Sequence, residues 1–107
     1  MLTSTIKNVT AEEAYKLISE NNEFVILDVR TKEEYDDGHI PGAKLFPVQI
    51  LPRSLSELDE YKNKPVLVYC ASGGRSPRAV DTLANNSFKN IYHLTRGLSS
   101  WRYTITR

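Results

Sequence analysis

A single cysteine, Cys70, is followed by Ala71, Ser72, Gly73, Gly74, Arg75 and Ser76. That order of residue types suits one kind of chemistry. Consecutive glycines let a backbone curl until successive N–H groups point inward, which makes a cradle for an anion. Ser76-Pro77 has the form of a helix N-cap followed by a proline at the first helical position. The positive end of that helix should face the same cradle. Arg75 and Arg78 add full charges. A thiol in such a field ionises below its ordinary value of about 8.5, and the thiolate is the reactive form. The loop therefore predicts a nucleophilic cysteine acting on an anionic substrate, by either phosphoryl or arsenate chemistry or by sulfur transfer. Asp28-Val29-Arg30 is a second, weaker candidate.

Both candidates need strand ends to hold them, because sites in open parallel sheets lie beyond the C-terminal ends of the strands. Phe24 to Val29 is an apolar run broken only by Asp28, and Val66 to Tyr69 is another, introduced by Pro65 and ending at Cys70. Such runs suit strands covered on both faces. Capping boxes at Thr10/Glu13 and Thr31/Glu34 open two helices; the first has the apolar face Ala14, Leu17, Ile18. Leu55, Leu58 and Tyr61 predict a helix from about Ser54 to Tyr61, and Val80, Leu83 and Ala84 continue the one begun at Ser76. Ala43–Phe46 and Ile91–Leu94 are short strand candidates, Gly38 to Gly42 is a loop, and Gly97 to Trp101 a terminal helical turn. Strands alternating with helices predict an α/β fold with a mainly parallel central sheet flanked by helices.

The 107 residues suit one domain over 1–107, without repeats or linkers. With 14 basic and 13 acidic residues the chain lacks the basic excess of a nucleic-acid binder. No stretch approaches the roughly 20 apolar residues of a membrane span, and the start, Met1 to Lys7, lacks the apolar run of a secretory signal. One cysteine permits no internal disulfide, and no metal-ligand spacing exists. A lone thiol fits a reducing compartment, so the expected location is cytoplasmic.

Cys70-Ala71-Ser72-Gly73-Gly74-Arg75-Ser76 resembles the C-x-x-G-x-R-S active-site loop of rhodaneses. Asp28 to Tyr35 with Gly38 to Ala43 is similar to that family's N-terminal signature, and Leu83 to Trp101 to its C-terminal stretch. The resemblance covers about residues 6–101. It implies a rhodanese-like three-layer fold and a persulfide carried on Cys70, held by the backbone of Ala71 to Ser76. For Asp28 and Arg30 it implies an organising role beside the site, and it requires no cofactor or metal. It also separates the two chemistries: related phosphatases have one more residue between the cysteine and the arginine than the four found here. Three positions depart from the family pattern. Ser87 stands before Phe88 where glycine is frequent, Arg96 stands where a second glycine is common before Gly97, and Pro77 is unusual after the loop serine. Arg96 bears on substrate preference rather than on the nucleophile.

Each candidate has a plainer alternative. Cysteine is often a simple core residue, but the glycine turn and the helix behind it weigh against that for Cys70. Gly73-Gly74 as a bare tight turn is set against the cradle in the same way. Asp28 and Arg30 are better read as a structural pair. His39 is better read as a loop anchor than as an acid or base. His93 reads as an ordinary strand residue, Trp101 as core, and Arg53 and Arg96 as solvated. The expected reaction takes sulfur from a small anionic donor such as thiosulfate and passes it to cyanide or a thiol, with a protein acceptor also open. No nucleic-acid or membrane partner is expected. The rivals are a phosphatase or arsenate reductase on the same fold, and a sulfur-relay or binding module with little turnover of its own.

Overall fold

The structure, a computed structural model, describes residues 4–107; what was read from Met1, Leu2 and Thr3 lies outside them. Five strands form one sheet: β1 (Thr5–Val9), β2 (Val25–Asp28), β3 (Lys44–Leu45), β4 (Pro65–Tyr69) and β5 (Asn90–Leu94). Their order is β1-β5-β4-β2-β3, and every pairing is parallel. Helices α1 (Ala11–Glu20) and α2 (Lys32–Asp37) cover one face, and α3 (Leu51–Ser54) and α4 (Ser76–Ala84) the other. This is the expected three-layer α/β architecture.

The alternation of side chains along a strand sorts the core into two layers. Along β4, Val66 and Val68 join α3 and α4 with Leu51, Leu58, Ala79, Val80 and Leu83. Leu67 and Tyr69 join the opposite layer with Ala14, Ile40, Leu94 and Trp101. Cys70 continues the first parity and falls on the α4 side. Asp28 shares the parity of Ile26 and falls on the other. From β2 the chain runs outward to β3 across one face, and from β4 it runs the opposite way to β5 across the other. The ends of β2 and β4 therefore flank a topological switch point, where a crevice opens in such sheets.

Both capping boxes form, with Thr10 and Thr31 accepting from the N3 backbone and Glu13 and Glu34 answering. Two elements differ from expectation. Strand β1 went unread because it is an edge strand with four of its five residues exposed, leaving no apolar run to detect. The helix expected over Ser54–Tyr61 starts earlier, at Leu51, and is 3₁₀ from Leu55 to Tyr61. Leu55, Leu58 and Tyr61 recur every third residue, the repeat that lines up on one side of a 3₁₀ helix. Ser87 has φ +71, which explains why glycine suits its position; for a serine this conformation costs about 1 kcal/mol. Arg96 has no positive φ, so no glycine is needed there. Past Trp101 the chain crosses α1, where Tyr103 stacks on Tyr15 at 3.9 Å. Among the described residues no helix is long and apolar enough to cross a membrane.

Candidate active site

Cys70 follows β4 and is 1% exposed. Its Sγ accepts from the Gly73 N–H at 3.1 Å and lies 3.3 Å from Ser76 Oγ. Burial pushes the thiol up. The Ser76 hydroxyl and the backbone N–H groups of Arg75, Ser76 and Gly73 outweigh it, so ionisation is shifted below the ordinary range. Donors from the loop and the first turn of α4 thus converge on one sulfur. The turn after β5 braces the loop: Leu98 and Ser99 donate to the carbonyls of Cys70 and Ala71, both at 2.9 Å.

The two loop glycines are not equivalent. Gly73 has φ +99, and a Cβ there would stand 1.9 Å from the Thr95 carbonyl oxygen. Gly74 has no positive φ and open space around it, so of the two loop glycines only Gly73 stands where a side chain could not. Gly73→Ala should displace the loop, remove one donor from the thiol and lower the unfolding midpoint. Alkylation of Cys70 at neutral pH should slow by about tenfold, since losing one hydrogen bond to an ionised group costs about 1.5–3 kcal/mol. Gly74→Ala should match wild type in both measurements.

Ser76 does not cap α4. Arg75 occupies the N-cap position without a side-chain bond, and the Ser76 side chain is buried and turned inward. Its Oγ lies 2.6 Å from His93 Nε2. His93, expected to be an ordinary strand residue, is therefore linked to the thiol through Ser76. Burial alone lowers its basicity.

Arg75 does not stand free over the cradle either. Its guanidinium pairs bidentately with Glu34 of α2 at 2.8 and 2.9 Å, so part of the positive charge expected at the thiol is neutralised. Arg75 chiefly, against some burial and helped by Thr31, holds the Glu34 carboxyl at about 2. A carboxyl whose folded value is depressed stabilises the fold above its unfolded value, and that stability is lost as pH falls through the folded one. The pair is partly exposed, so its contribution is about 1 kcal/mol or less. Urea midpoints of wild type and Glu34→Gln should differ at neutral pH and converge as pH drops from the ordinary 4.5 toward 2. Ala71 is half-buried, Ser72 and Gly74 are exposed at the rim, and Arg78 is exposed on α4.

Asp28 and Arg30 lie on the opposite face of the sheet from Cys70. Asp28 accepts from the Arg30 backbone at 3.0 Å, from its Nη2 at 2.7 Å and from the Tyr69 hydroxyl at 2.6 Å. Arg30 Nη2 also donates to the Gly38 carbonyl at 2.6 Å, and the Tyr69 oxygen accepts from the Ile40 N–H at 3.1 Å. The pair thus ties the Gly38–Gly42 loop to the ends of β2 and β4. Tyr69 went unread as a member of this cluster because only its apolar ring shows in a strand pattern. His39 anchors the same loop, its Nδ1 2.8 Å from the Tyr35 carbonyl and its ring stacked on Tyr35. Trp101 is buried, and Arg53 and Arg96 are exposed. Among the described residues no group of side chains could hold a metal ion.

The model of the family described as rhodanese-like domain matches residues 10–104. Thiosulfate sulfurtransferase GlpE of Coxiella burnetii is 35% identical over 101 residues, covering 90% of this chain and 87% of its own. YibN of Escherichia coli is 33% identical over 101 residues, covering 94% of this chain and 70% of its own. The crystal structure of a rhodanese-like domain protein from Staphylococcus aureus superposes with a TM-score of 0.80 at 34% identity, covering 89% of this chain and 90% of that one. The chain belongs to the rhodanese-like family.

Proposed function

We propose that this rhodanese-like chain is a sulfurtransferase that takes sulfane sulfur from a small anionic donor such as thiosulfate and holds it as a persulfide on Cys70. It then gives the sulfur to a thiophilic acceptor, cyanide in an assay or a thiol in a cell. The observation that carries this reading is the convergence on one thiol of the Gly73, Arg75 and Ser76 N–H groups and the Ser76 hydroxyl. Likeness to a named thiosulfate sulfurtransferase supports the donor class.

In the first half-reaction the Cys70 thiolate attacks the outer sulfur of thiosulfate. A new S–S bond forms, the donor's S–S bond breaks, and its electron pair leaves on sulfite. The inward N–H groups suit the persulfide anion that remains, as oxyanion-hole donors suit a developing oxyanion. In the second, cyanide attacks the outer sulfur, thiocyanate leaves and the Cys70 thiolate returns. Ala71 to Ser76 form the binding loop, and Asp28 and Arg30 support it from the other face. A phosphatase would need a wider ring around a phosphate, and the short loop argues against it.

The test is intact mass after thiosulfate treatment. Wild type should gain one sulfur mass that cyanide removes, and Cys70→Ala should gain none. Loading that only a protein partner discharges would favour the sulfur-relay reading. No adduct from thiosulfate or any other sulfane donor would overturn the proposal.

A further inference from the structure

The mechanism above leaves one buried titratable side chain without a task. His93 is 8% exposed, and neighbouring inward positions, Val68 and Ile91, are apolar. Its register partners are Val68 on β4 and Asn8 on β1, neither of them titratable. On α4 the charged side chains Arg78 and Asp81 are exposed. Arg75, which feels the thiol, is tied to Glu34. Among the described residues the side-chain partner of His93 is Ser76, whose Oγ lies 2.6 Å from Nε2, and the same Oγ lies 3.3 Å from Cys70 Sγ.

We propose that Ser76 and His93 form a proton relay for Cys70, in which the thiol proton passes to the Ser76 hydroxyl as the hydroxyl proton passes to His93 Nε2. A hydroxyl donates one proton and accepts others, so Ser76 can take the S–H while giving its O–H to a neutral imidazole. Burial disfavours the charged imidazolium, and in the Nδ1–H tautomer of the neutral ring Nε2 is the acceptor that faces Ser76 Oγ.

Protons balance over one cycle. The relay leaves a Cys70 thiolate and a His93 imidazolium linked across Ser76. The thiolate forms the new S–S bond and sulfite departs with the electron pair of the broken one. When the acceptor removes the outer sulfur, the proton returns from Nε2 through Ser76 to the Cys70 thiolate. His93 is thus a positioning residue that acts through Ser76 and touches no substrate. This deepens the sulfur-transfer reading and depends on it for the donor, but the relay itself is a property of the resting thiol.

The test is therefore one that needs no sulfur donor: the rate of Cys70 alkylation by iodoacetamide against pH, in wild type, His93→Gln, Ser76→Ala and the double variant. His93→Gln should slow alkylation near neutral pH by at least about tenfold, short of the roughly 10²–10⁴-fold of a full general base because the donors to the thiolate remain. It should regain the wild-type rate at alkaline pH, where the thiol ionises unaided. The double variant should be no slower than Ser76→Ala, because both residues serve one path. An unchanged pH profile in a folded His93→Gln, or additive losses in the double variant, would overturn the relay. Should His93→Gln not fold, NMR of the native chain decides. The His93 ring resonance should shift as Cys70 ionises and stay still over the same range in Cys70→Ser; no shift in the native chain overturns the relay. A relay seen by alkylation without any persulfide loading would count against the sulfur-transfer reading alone.

Discussion

Cys70→Ala should bring thiosulfate:cyanide sulfur transfer down by at least about 10³-fold, to the rate of the uncatalysed reaction, while the fold survives. The loss is of kind rather than degree, because no other atom of the chain can form the S–S bond. The donors around Sγ belong to the Gly73, Arg75 and Ser76 backbone and the Ser76 hydroxyl, and they remain when the sulfur is removed. The substitution deletes one small buried atom, which costs far less than the large core truncations of about 2–5 kcal/mol. Cys70→Ser is the complementary variant. It keeps the hydrogen-bonding shape, but its oxygen cannot carry the sulfane sulfur as a persulfide. Steady-state turnover and a thermal melt on the same samples check the pair of statements. Residual transfer of more than a few per cent in either variant would refute the assignment of the nucleophile.

Asp28→Ala should have the opposite signature, a large loss of stability with chemistry retained in the molecules that stay folded. Asp28 is fully buried, and its carboxylate faces the Arg30 guanidinium, which is 5% exposed. Removing one member of a buried ion pair leaves the other charge without compensation, at a cost of about 3–5 kcal/mol. The Tyr69 hydroxyl loses its acceptor in the same step. A domain of this size has about 5–15 kcal/mol of stability in all, so the urea midpoint should fall steeply. Because the cluster lies on the face of the sheet away from α4, turnover per folded molecule should stay within about tenfold of wild type. A variant with wild-type stability and no turnover would instead place Asp28 in the chemistry.

Much of the fold and the heart of the site are legible in the sequence because they are encoded by near neighbours. Each capping box is settled within four residues. The strands β2 and β4 announce themselves by unbroken apolar runs, and period-two alternation decides which layer Cys70 joins. The nucleophile, its glycine-containing turn and the helix behind it are contiguous, so their chemistry follows from residue types and spacing.

What only the tertiary structure decides is the set of pairings between residues far apart in the chain. Ser76 reads locally as a cap, yet it meets His93, 17 positions away, because α4 packs over β5. Arg75 reads as a free charge, yet it finds Glu34, 41 positions away, in the first turn of α2. Tyr69 reads as core, yet its hydroxyl reaches Asp28 over the same separation. Which of two glycines is indispensable depends on the Thr95 carbonyl delivered by the turn after β5. Local sequence sets the intrinsic preferences of each segment, but a side chain's partners and protonation follow from what the sheet order brings against it.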